Sequence, residues 1–208
     1  MALNRFTPLL AAVLLALSVP AAAAGRHQQQ QYVAPLSGIE IQDLTYMREE
    51  EKLARDVYVA LYEKWGLTPF ANISASEQQH MDALLQLLRK YRLSDPAAGT
   101  AIGEFANANL QSLYDTLLEQ GSRAAVDALR VGGLIEETDI LDLVAAIEHA
   151  DHADIDTVYG NLQCGSRNHL RAFAAQYTAF TGQPYLSQVL GQKYVDDILA
   201  GGRERCGR

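Results

Sequence analysis

Apolar residues recur at helical spacing along most of the chain, and no stretch alternates with the period of a β-strand. The apolar face of the first such segment is formed by Leu44, Met47, Ala54, Val57, Leu61 and Trp65. Ser37 and Glu40 have the spacing of a capping box before this segment, and Gly66 follows its last apolar residue. This pattern predicts an all-α protein.

Caps and helix breakers divide the chain into six predicted helices. They cover approximately residues 37–65, 68–93, 107–120, 122–150, 155–181 and 187–199. Thr68 and Ser122 are the predicted N-caps of the second and fourth helices, and Pro69 suits a first helical position. Gly132 and Gly133 lie inside the fourth helix, where each costs about 1 kcal/mol relative to Ala. We therefore expect a close helix approach or a kink there.

The lengths of the connections distinguish among helical bundles. Tight turns join the first long helix to the second and the third long helix to the fourth, whereas about thirty residues with their own short helix join these two hairpins. Two hairpins and one long crossover predict a ferritin-like four-helix bundle over residues 37–182. Residues 183–208 are predicted to form a C-terminal short helix and tail.

The first 24 residues have the pattern of a signal peptide. Arg5 gives a positive start, Leu9–Val19 is apolar, and Ala22–Ala24 offers small residues for cleavage. An uncleaved membrane anchor is the alternative. Residues 25–36 are polar and predicted to be a disordered linker. We therefore expect a periplasmic or secreted protein that has no membrane attachment after cleavage.

The charge balance is acidic. Twenty-five Asp and Glu residues against 17 Lys and Arg residues give a net charge of -8, which becomes -9 once Arg5 is removed. Such a surface argues against nucleic acid or an anionic membrane as a partner and would suit the attraction of cations. The sequence also lacks a Gly-rich phosphate loop, a Gly-x-Ser-x-Gly elbow and a Cys-x-x-Cys pair.

Cys164 and Cys206 are the two cysteines of the chain. In an oxidising compartment we expect them to form a disulfide that ties the C-terminal tail to the last long helix. A redox or ligand role for Cys164 is the alternative.

Each of the four long predicted helices carries Glu or His near its middle. The candidate metal ligands are Glu51, Glu77, His80, Glu136 and His169, with Glu50, Glu137 and Asp139 as additional candidates. Glu77 and His80 project from one helix face, and a carboxylate inside a bundle must be paired, protonated or bound to metal. Taken singly, a Glu-x-x-His motif is more often an exposed ion pair, and a run such as Glu49–Glu51 is typical of a solvated face with at most one member turned inward.

The candidate ligands fit together better in one hairpin than in the other. Counted from their turn, Glu136 and His169 lie at similar heights. Glu51, by contrast, is offset from Glu77 and His80 by roughly 6 to 10 Å along the first hairpin at 1.5 Å per residue.

Several of these segments resemble a known family. The run Glu51–Tyr58 is similar to the first ligand helix of rubrerythrin-like proteins, and Glu77 with His80 matches their second-helix motif. The chain from Tyr46 to Phe180 resembles the ferritin-like domain family DUF2202. The segments that carry this resemblance are Phe70–Met81, Gly133–Ile140 and Gly165–Phe173. The resemblance implies a ferritin-like fold and a di-iron type of site, and it brings no settled activity with it.

The fourth long helix departs from the ferritin-like pattern. Di-iron sites of that kind use Glu-x-x-His on both the second and the fourth helix. Here Ser166 stands where the second Glu is expected. Asp139, Glu50 or Glu137 are the alternatives for the missing carboxylate, and a site for a single ion is another. Which of Glu136 and Glu137 faces inward is left open.

The donor set leads to three functional hypotheses. Mixed carboxylate and imidazole donors favour iron or manganese over calcium and exclude a thiolate zinc site. The first hypothesis is an exported oxidoreductase that uses two iron or manganese ions to act on oxygen or peroxide. The second is a protein that sequesters or senses metal without turnover. The third is a structural or partner-binding bundle whose inward acids pair with residues such as Arg55 or Arg171. Metal ions are the expected partners, and formation of a homodimer is left open.

Overall fold

The structure is a computed structural model that describes Met1 and residues 34–207. The rest of the predicted signal peptide at residues 1–24, and residues 25–33 of the predicted linker, lie outside the described residues. Residues 34–37 have no regular secondary structure and lead directly into the first helix. The following description concerns residues 34–207.

This part of the chain contains six helices and no strand, which confirms the all-α prediction. The helices are α1 (Gly38–Trp65), α2 (Thr68–Lys90), α3 (Ala108–Gly121), α4 (Ala125–His149), α5 (Ala153–Thr181) and α6 (Gln192–Ala200). Over residues 34–207, no helix combines the length and the apolar character needed to cross a membrane.

The ends of α1 follow its local sequence. The Ser37 side chain accepts a hydrogen bond from the Glu40 backbone amide, and the Glu40 carboxylate accepts one from the Ser37 amide. This is the predicted capping box. At the other end Gly66 adopts the left-handed conformation with φ of 65°, a geometry that glycine adopts without steric cost.

Three other predicted boundaries are wrong. The N-cap of α2 is Leu67 instead of Thr68, because the helix already includes Thr68. Ser122 ends α3 instead of starting α4, whose N-cap is Ala124. The second helix stops at Lys90, before the predicted Leu93, because the chain turns at Arg92 with φ of 58°. Thr68 is therefore a helical residue and Ser122 ends the preceding helix, so neither caps the helix that its side chain predicted.

The long helices form two hairpins that pack together. Helix α1 packs along α2, and α4 packs along α5. Helix α1 also contacts α4, α2 contacts α5, and α3 lies against both α1 and α4. A Cβ atom on Gly132 would lie 2.5 Å from the Phe173 ring, so α4 and α5 approach as closely as they do because glycine stands there. The Gly132–Gly133 pair therefore marks a close approach.

The segment between α2 and α4 is fastened to α1 by buried charges. The Glu49 carboxylate accepts hydrogen bonds from the backbone amides of Ala106 and Asn107 at 2.6 and 3.2 Å. One and two turns further along α1, Lys52 and Asp56 bind the same segment, and both are almost fully buried. The crossover is therefore held in place by side chains of α1.

The C-terminal tail is attached to α5 in two ways. Cys164 and Cys206 form a disulfide across 42 residues. In addition, Glu204 forms ion pairs with Arg167 at 2.5 Å and with Arg171 at 2.8 Å.

Removing the disulfide is expected to lower stability without detaching the tail. Closing a loop of this length contributes on the order of 4 kcal/mol in the chain-entropy model, of which 2 to 4 kcal/mol is typically measured. A Cys164→Ala/Cys206→Ala variant should lose about that much free energy of unfolding in urea while keeping its helical circular dichroism. The wild-type protein in reductant should behave in the same way, and a loss below about 1 kcal/mol would contradict the prediction.

Glu40 connects the start of α1 to the turn between α4 and α5. Its carboxylate accepts hydrogen bonds from the Asp151 backbone amide at 3.1 Å and from His152 Nδ1 at 2.7 Å. Burial by itself would raise the pKa of Glu40, but the hydrogen bonds from Ser37 and His152 lower it to about 2. The same contact raises the pKa of His152.

The pair of Glu40 and His152 makes the free energy of unfolding fall both at acidic pH and at alkaline pH. The lowered pKa of Glu40 stabilises the fold above its usual value of 4.5, and that contribution is lost as the pH falls towards 2. The raised pKa of His152 stabilises the fold below 6.5, and that contribution is lost as the pH rises through the folded value. We expect Glu40→Gln to flatten the fall in unfolding free energy between pH 4.5 and pH 2 by on the order of 1–2 kcal/mol, since solvent screens part of the effect. Urea titrations at pH 3, 5.5 and 8 measure it, and parallel curves for the two proteins would rule it out.

Candidate metal centre

Five predicted ligands from the four long helices meet between the two hairpins. They are Glu51 from α1, Glu77 and His80 from α2, Glu136 from α4 and His169 from α5. The three carboxylates are each 2% exposed and His169 is 8% exposed, so this is an interior cluster of ionisable groups. Such groups are expensive to bury unless they are paired, protonated or bound to metal.

The donor atoms form two groups that share one carboxylate. Glu51, Glu77 and His80 offer atoms that lie within 4.8 Å of one another, and so do Glu77, Glu136 and His169. Nδ1 of His80 lies 3.1 Å from Oε2 of Glu51 and 2.8 Å from Oε2 of Glu77. Nδ1 of His169 lies 2.8 Å from Oε1 of Glu77 and 3.4 Å from Oε2 of Glu136. Each oxygen of Glu77 therefore faces a different imidazole.

The predicted offset between Glu51 and the second helix does not separate these side chains. His80 lies one turn beyond Glu77 on α2, towards the height of Glu51, and its ring spans the remaining distance. The backbone spacing predicted a large difference in height between these residues along the hairpin. The length of the Glu51 and His80 side chains compensates for it.

Two residues that sequence reasoning missed position the imidazoles. Ser76 Oγ lies 3.0 Å from Nε2 of His169, which leaves Nδ1 of that ring directed at the carboxylates. A Cβ atom on Gly165 would lie 2.6 Å from Nε2 of His80, so only glycine leaves room for that ring. No pattern marks Ser76, but a glycine inside a helix is costly and Gly165 could have been noticed on that ground.

Imidazoles and carboxylates of opposite charge lie next to one another in the cluster. Burial by itself lowers the pKa of each imidazole, but the charges of the neighbouring carboxylates outweigh it. The pKa of His80 is raised well above its usual value, and that of His169 to about 10. Burial would raise the pKa of Glu77, yet the two imidazoles lower it well below its usual value. The two imidazoles and the Glu77 carboxylate therefore stabilise one another's charged forms.

Burial dominates at the outer carboxylates of the cluster. It raises the pKa of Glu51 well above its usual value against the opposing charge of His80, and it raises that of Glu136 as well. Burial therefore opposes ionisation of these two groups. A bound cation would favour ionisation, because it lowers the pKa of the carboxylates that bind it.

Several donor atoms of the cluster lack hydrogen-bond partners although they are buried. They are Oε1 of Glu51, Oε1 of Glu77 and Nδ1 of His169. The last two lie 2.8 Å apart, but their orientation does not make a hydrogen bond. Buried polar atoms are rarely left unpaired, and carboxylate with imidazole is a donor set that suits iron or manganese. The residues present therefore fit a pair of such ions.

Tyr58 approaches the cluster from α1. Its hydroxyl donates a hydrogen bond to Oε1 of Glu136 at 2.5 Å, and the ring is fully buried between Phe70 and Phe173. The bond directs the other oxygen of Glu136 towards His169. Tyr177, in contrast, packs edge-on against Tyr185 on the C-terminal side of α5.

The acidic run on α1 is not a solvated face, which corrects the expectation from its sequence. Glu49, Glu50 and Glu51 are 3%, 4% and 2% exposed. Successive helical residues point about 100° apart, so each carboxylate faces a different part of the protein. Glu49 binds the crossover, Glu50 lies beside Asp139 and Asp142, and Glu51 reaches His80. The crossover and α4 cover a helix face that would otherwise meet water.

Both Glu136 and Glu137 are buried, but they contact different parts of the protein. Glu136 belongs to the cluster, whereas the Glu137 carboxylate accepts hydrogen bonds from Tyr185, Ser187 and a series of backbone amides. The donating amides belong to Gln188, Val189 and Leu190. Because these amides bind a carboxylate, the segment does not become helical, and α6 begins at Gln192 instead of the predicted Ser187. Glu137 thus has no oxygen left for a metal.

The other additional candidates, Glu50 and Asp139, are buried beside the cluster but belong to neither group of donor atoms. Asp139 is 6% exposed and hydrogen-bonds to Ser166, the residue that replaces the expected Glu of α5. Glu50 has its pKa raised by burial and by the charges of Asp139 and Asp142. Cys164 is in the disulfide and offers no thiolate.

Comparison with known proteins reveals close similarity over the segment that carries the cluster. The family described as uncharacterized protein domain DUF2202 matches residues 40–202. Uncharacterized protein MJ0754 of Methanocaldococcus jannaschii is 47% identical over 171 residues, which cover 82% of this chain and 92% of that protein. The crystal structure of hypothetical protein MJ0754 from Methanococcus jannaschii aligns with a TM-score of 0.80 at 46% identity, over 83% of this chain and 98% of that one. The chain therefore shares the fold of that protein.

Proposed function

This chain belongs to the DUF2202 family, and from that premise we propose that it is an exported ferritin-like protein that binds two iron or manganese ions. The ligands are Glu51, Glu77, His80, Glu136 and His169. The bound ions supply redox chemistry towards dioxygen or peroxide.

One observation carries the proposal: Glu77 belongs to both groups of donor atoms. Because each of its oxygens faces a different imidazole, Glu77 would help to hold both ions. The remaining members divide evenly, with Glu51 and His80 on one side and Glu136 and His169 on the other. An arrangement that served only to satisfy charges would not require this division.

The topology supports placing the protein among ferritin-like bundles. The four ligand-bearing helices pair as two hairpins, and the chain between them contains α3. This is the connectivity of ferritin-like proteins, which hold metal between inward-facing carboxylates and imidazoles. Export is supported by the pattern of residues 1–24 and by the pairing of Cys164 with Cys206.

The surrounding residues prepare the site for metal. Ser76 fixes the orientation of His169, and Gly165 admits the ring of His80. Tyr58 holds Glu136 by one oxygen. Because the carboxylates are buried, only a small substrate can approach, which agrees with dioxygen or peroxide.

A purely structural role for the buried acids has less support, because their expected partners are engaged elsewhere. Arg55 pairs with Asp56 and Gln78. Arg171 binds Glu204 and the carbonyl oxygen of Ile198. Neither arginine compensates Glu51, Glu77 or Glu136.

Metal content tests the proposal directly. Protein purified from cells grown with added iron, and separately with added manganese, should contain close to two ions per chain by elemental analysis. A matched preparation of the chelated protein should take up the same number when either ion is returned. A folded protein that binds neither ion would refute the proposal.

Turnover distinguishes an oxidoreductase from a protein that sequesters metal. The metal-loaded protein should consume hydrogen peroxide with a suitable electron donor, and His169→Ala should lose most of that activity because one ion loses its imidazole. If the loaded protein retains its ions but consumes no peroxide, sequestration or sensing is the function.

A further inference from the structure

Five ligands leave the proposed site one negative charge short. Three carboxylates carry three negative charges, whereas two divalent ions carry four positive ones. An uncompensated charge in a buried site costs several kcal/mol in real proteins. A further carboxylate is therefore expected close to the cluster, and α5 does not provide it, because Ser166 occupies the corresponding position.

Asp139 has the properties of that carboxylate. It lies three residues after Glu136 on α4, so both side chains project from one face of the helix. It is 6% exposed, its Oδ2 accepts a hydrogen bond from the Ser166 hydroxyl, and its Oδ1 is buried without any partner. Burial and the charge of Glu136 raise the pKa of Asp139 to about 7.

The other two candidates do not fit this role. Both oxygens of Glu137 are occupied by hydrogen bonds from the C-terminal segment. Glu50 follows a different direction from Glu51, because adjacent helical residues point about 100° apart. It lies beside Asp142, which is nearer the surface.

We propose that Asp139, held by Ser166, is a sixth metal ligand that replaces the glutamate missing from α5. This inference rests on the proposed function. The α4 helix then contributes Glu-x-x-Asp, and the short Ser166 side chain leaves space that a glutamate would fill. Ser166 is a positioning residue: it holds one oxygen of Asp139 and leaves the other free for metal.

Binding of Mn²⁺ to the metal-free protein tests this assignment. We expect wild type to bind two ions per chain, and Asp139→Asn to bind one ion normally while its affinity for the second falls at least about 100-fold. Electron paramagnetic resonance should change from the signal of a coupled pair to that of an isolated ion. Asp142→Asn, one turn further along α4, is the matched control and should bind two ions.

Two further variants separate loss of a ligand from damage to the fold. Asp139→Ala/Ser166→Glu moves the carboxylate back to α5 and should restore the second ion. Ser166→Ala should lower the affinity for the second ion about tenfold. Ser166→Thr should bind the second ion with normal affinity, because the hydroxyl is retained.

The outcomes also separate this inference from the proposed function. If wild type and Asp139→Asn bind two ions equally well, Asp139 is not a ligand but the metal site stands. If both bind a single ion, the assignment is wrong and the proposed binding of two ions fails with it. A wild-type protein without metal affinity would overturn the proposed function together with this inference.

Discussion

Replacing Glu77 by Ala is expected to remove both metal ions, because this carboxylate belongs to both groups of donor atoms. Loss of His169 or Glu136 affects one group only, so His169→Ala should retain the ion bound by Glu51 and His80. Each ion present at 1,000 times its dissociation constant stabilises a protein by about 4 kcal/mol, and Glu77→Ala should lose this increment for both ions. Elemental analysis and urea unfolding, with and without Mn²⁺, measure the two effects.

The Glu77→Gln variant provides the control for this experiment. Glu77→Gln keeps the size of the side chain but removes the charge that raises the pKa of both imidazoles. It should fold, as judged by circular dichroism, and still fail to gain stability from Mn²⁺. If Glu77→Ala keeps one ion, Glu77 is not shared. If metal stabilises Glu77→Ala as much as wild type, the site itself is wrongly assigned.

Replacing Asp56 by Ala is expected to cost about 3–5 kcal/mol of unfolding free energy, the typical penalty for breaking a buried ion pair. Asp56 is fully buried and lies 2.6 Å from Nζ of Lys52, which is 2% exposed. Asp56 also accepts a hydrogen bond from the Gly103 amide at 2.9 Å. The variant takes the carboxylate away from the ammonium group, from this amide and from the guanidinium of Arg55, which also donates to Asp56. Urea unfolding measures the loss, and faster amide exchange over residues 101–107 should reveal that the crossover is released.

A double variant separates the cost of an unpaired charge from the value of the pair. Lys52→Met/Asp56→Leu removes both charges and fills the space with apolar side chains, so it should recover a large part of the lost stability. Lys52 also donates to the carbonyl oxygens of Ala101 and Glu104 at 2.8 and 3.0 Å, so the recovery should be incomplete. An Asp56→Ala variant that loses less than about 1 kcal/mol would contradict the importance of the pair.

The acidic run on α1 shows what can be predicted from the sequence and what cannot. Periodicity predicts that residues 38–65 are helical and which residues form the apolar stripe. It cannot assign Glu49, Glu50 and Glu51 to the crossover, to α4 and to α2, because each assignment depends on which segment covers that side of the helix. The composition of the run indicates solvent exposure, and tertiary packing overrides it.

The residues that position the candidate metal ligands show a second limit of prediction from sequence. The donor types and their helices can be read from the sequence, and the structure brings Glu51, Glu77, His80, Glu136 and His169 together. Ser76 and Gly165 act through contacts with side chains of other helices, so no local pattern indicates these roles, although Gly165 is noticeable as a glycine inside a helix. The partnership of Ser166 with Asp139 likewise joins α5 to α4.

The sequence by itself determined the helical class, the position of each helix to within a few residues and the presence of inward-facing Glu and His. These features depend on interactions within a few residues along one helix: the 3.6-residue period, caps and breakers. The tertiary structure alone decided that Glu77 belongs to both groups of donor atoms, that Glu136 and not Glu137 joins the cluster, and that Asp139 lies where α5 lacks a carboxylate. Such choices depend on the direction of side chains across helix interfaces, where a rotation of about 100° between neighbouring residues changes every partner.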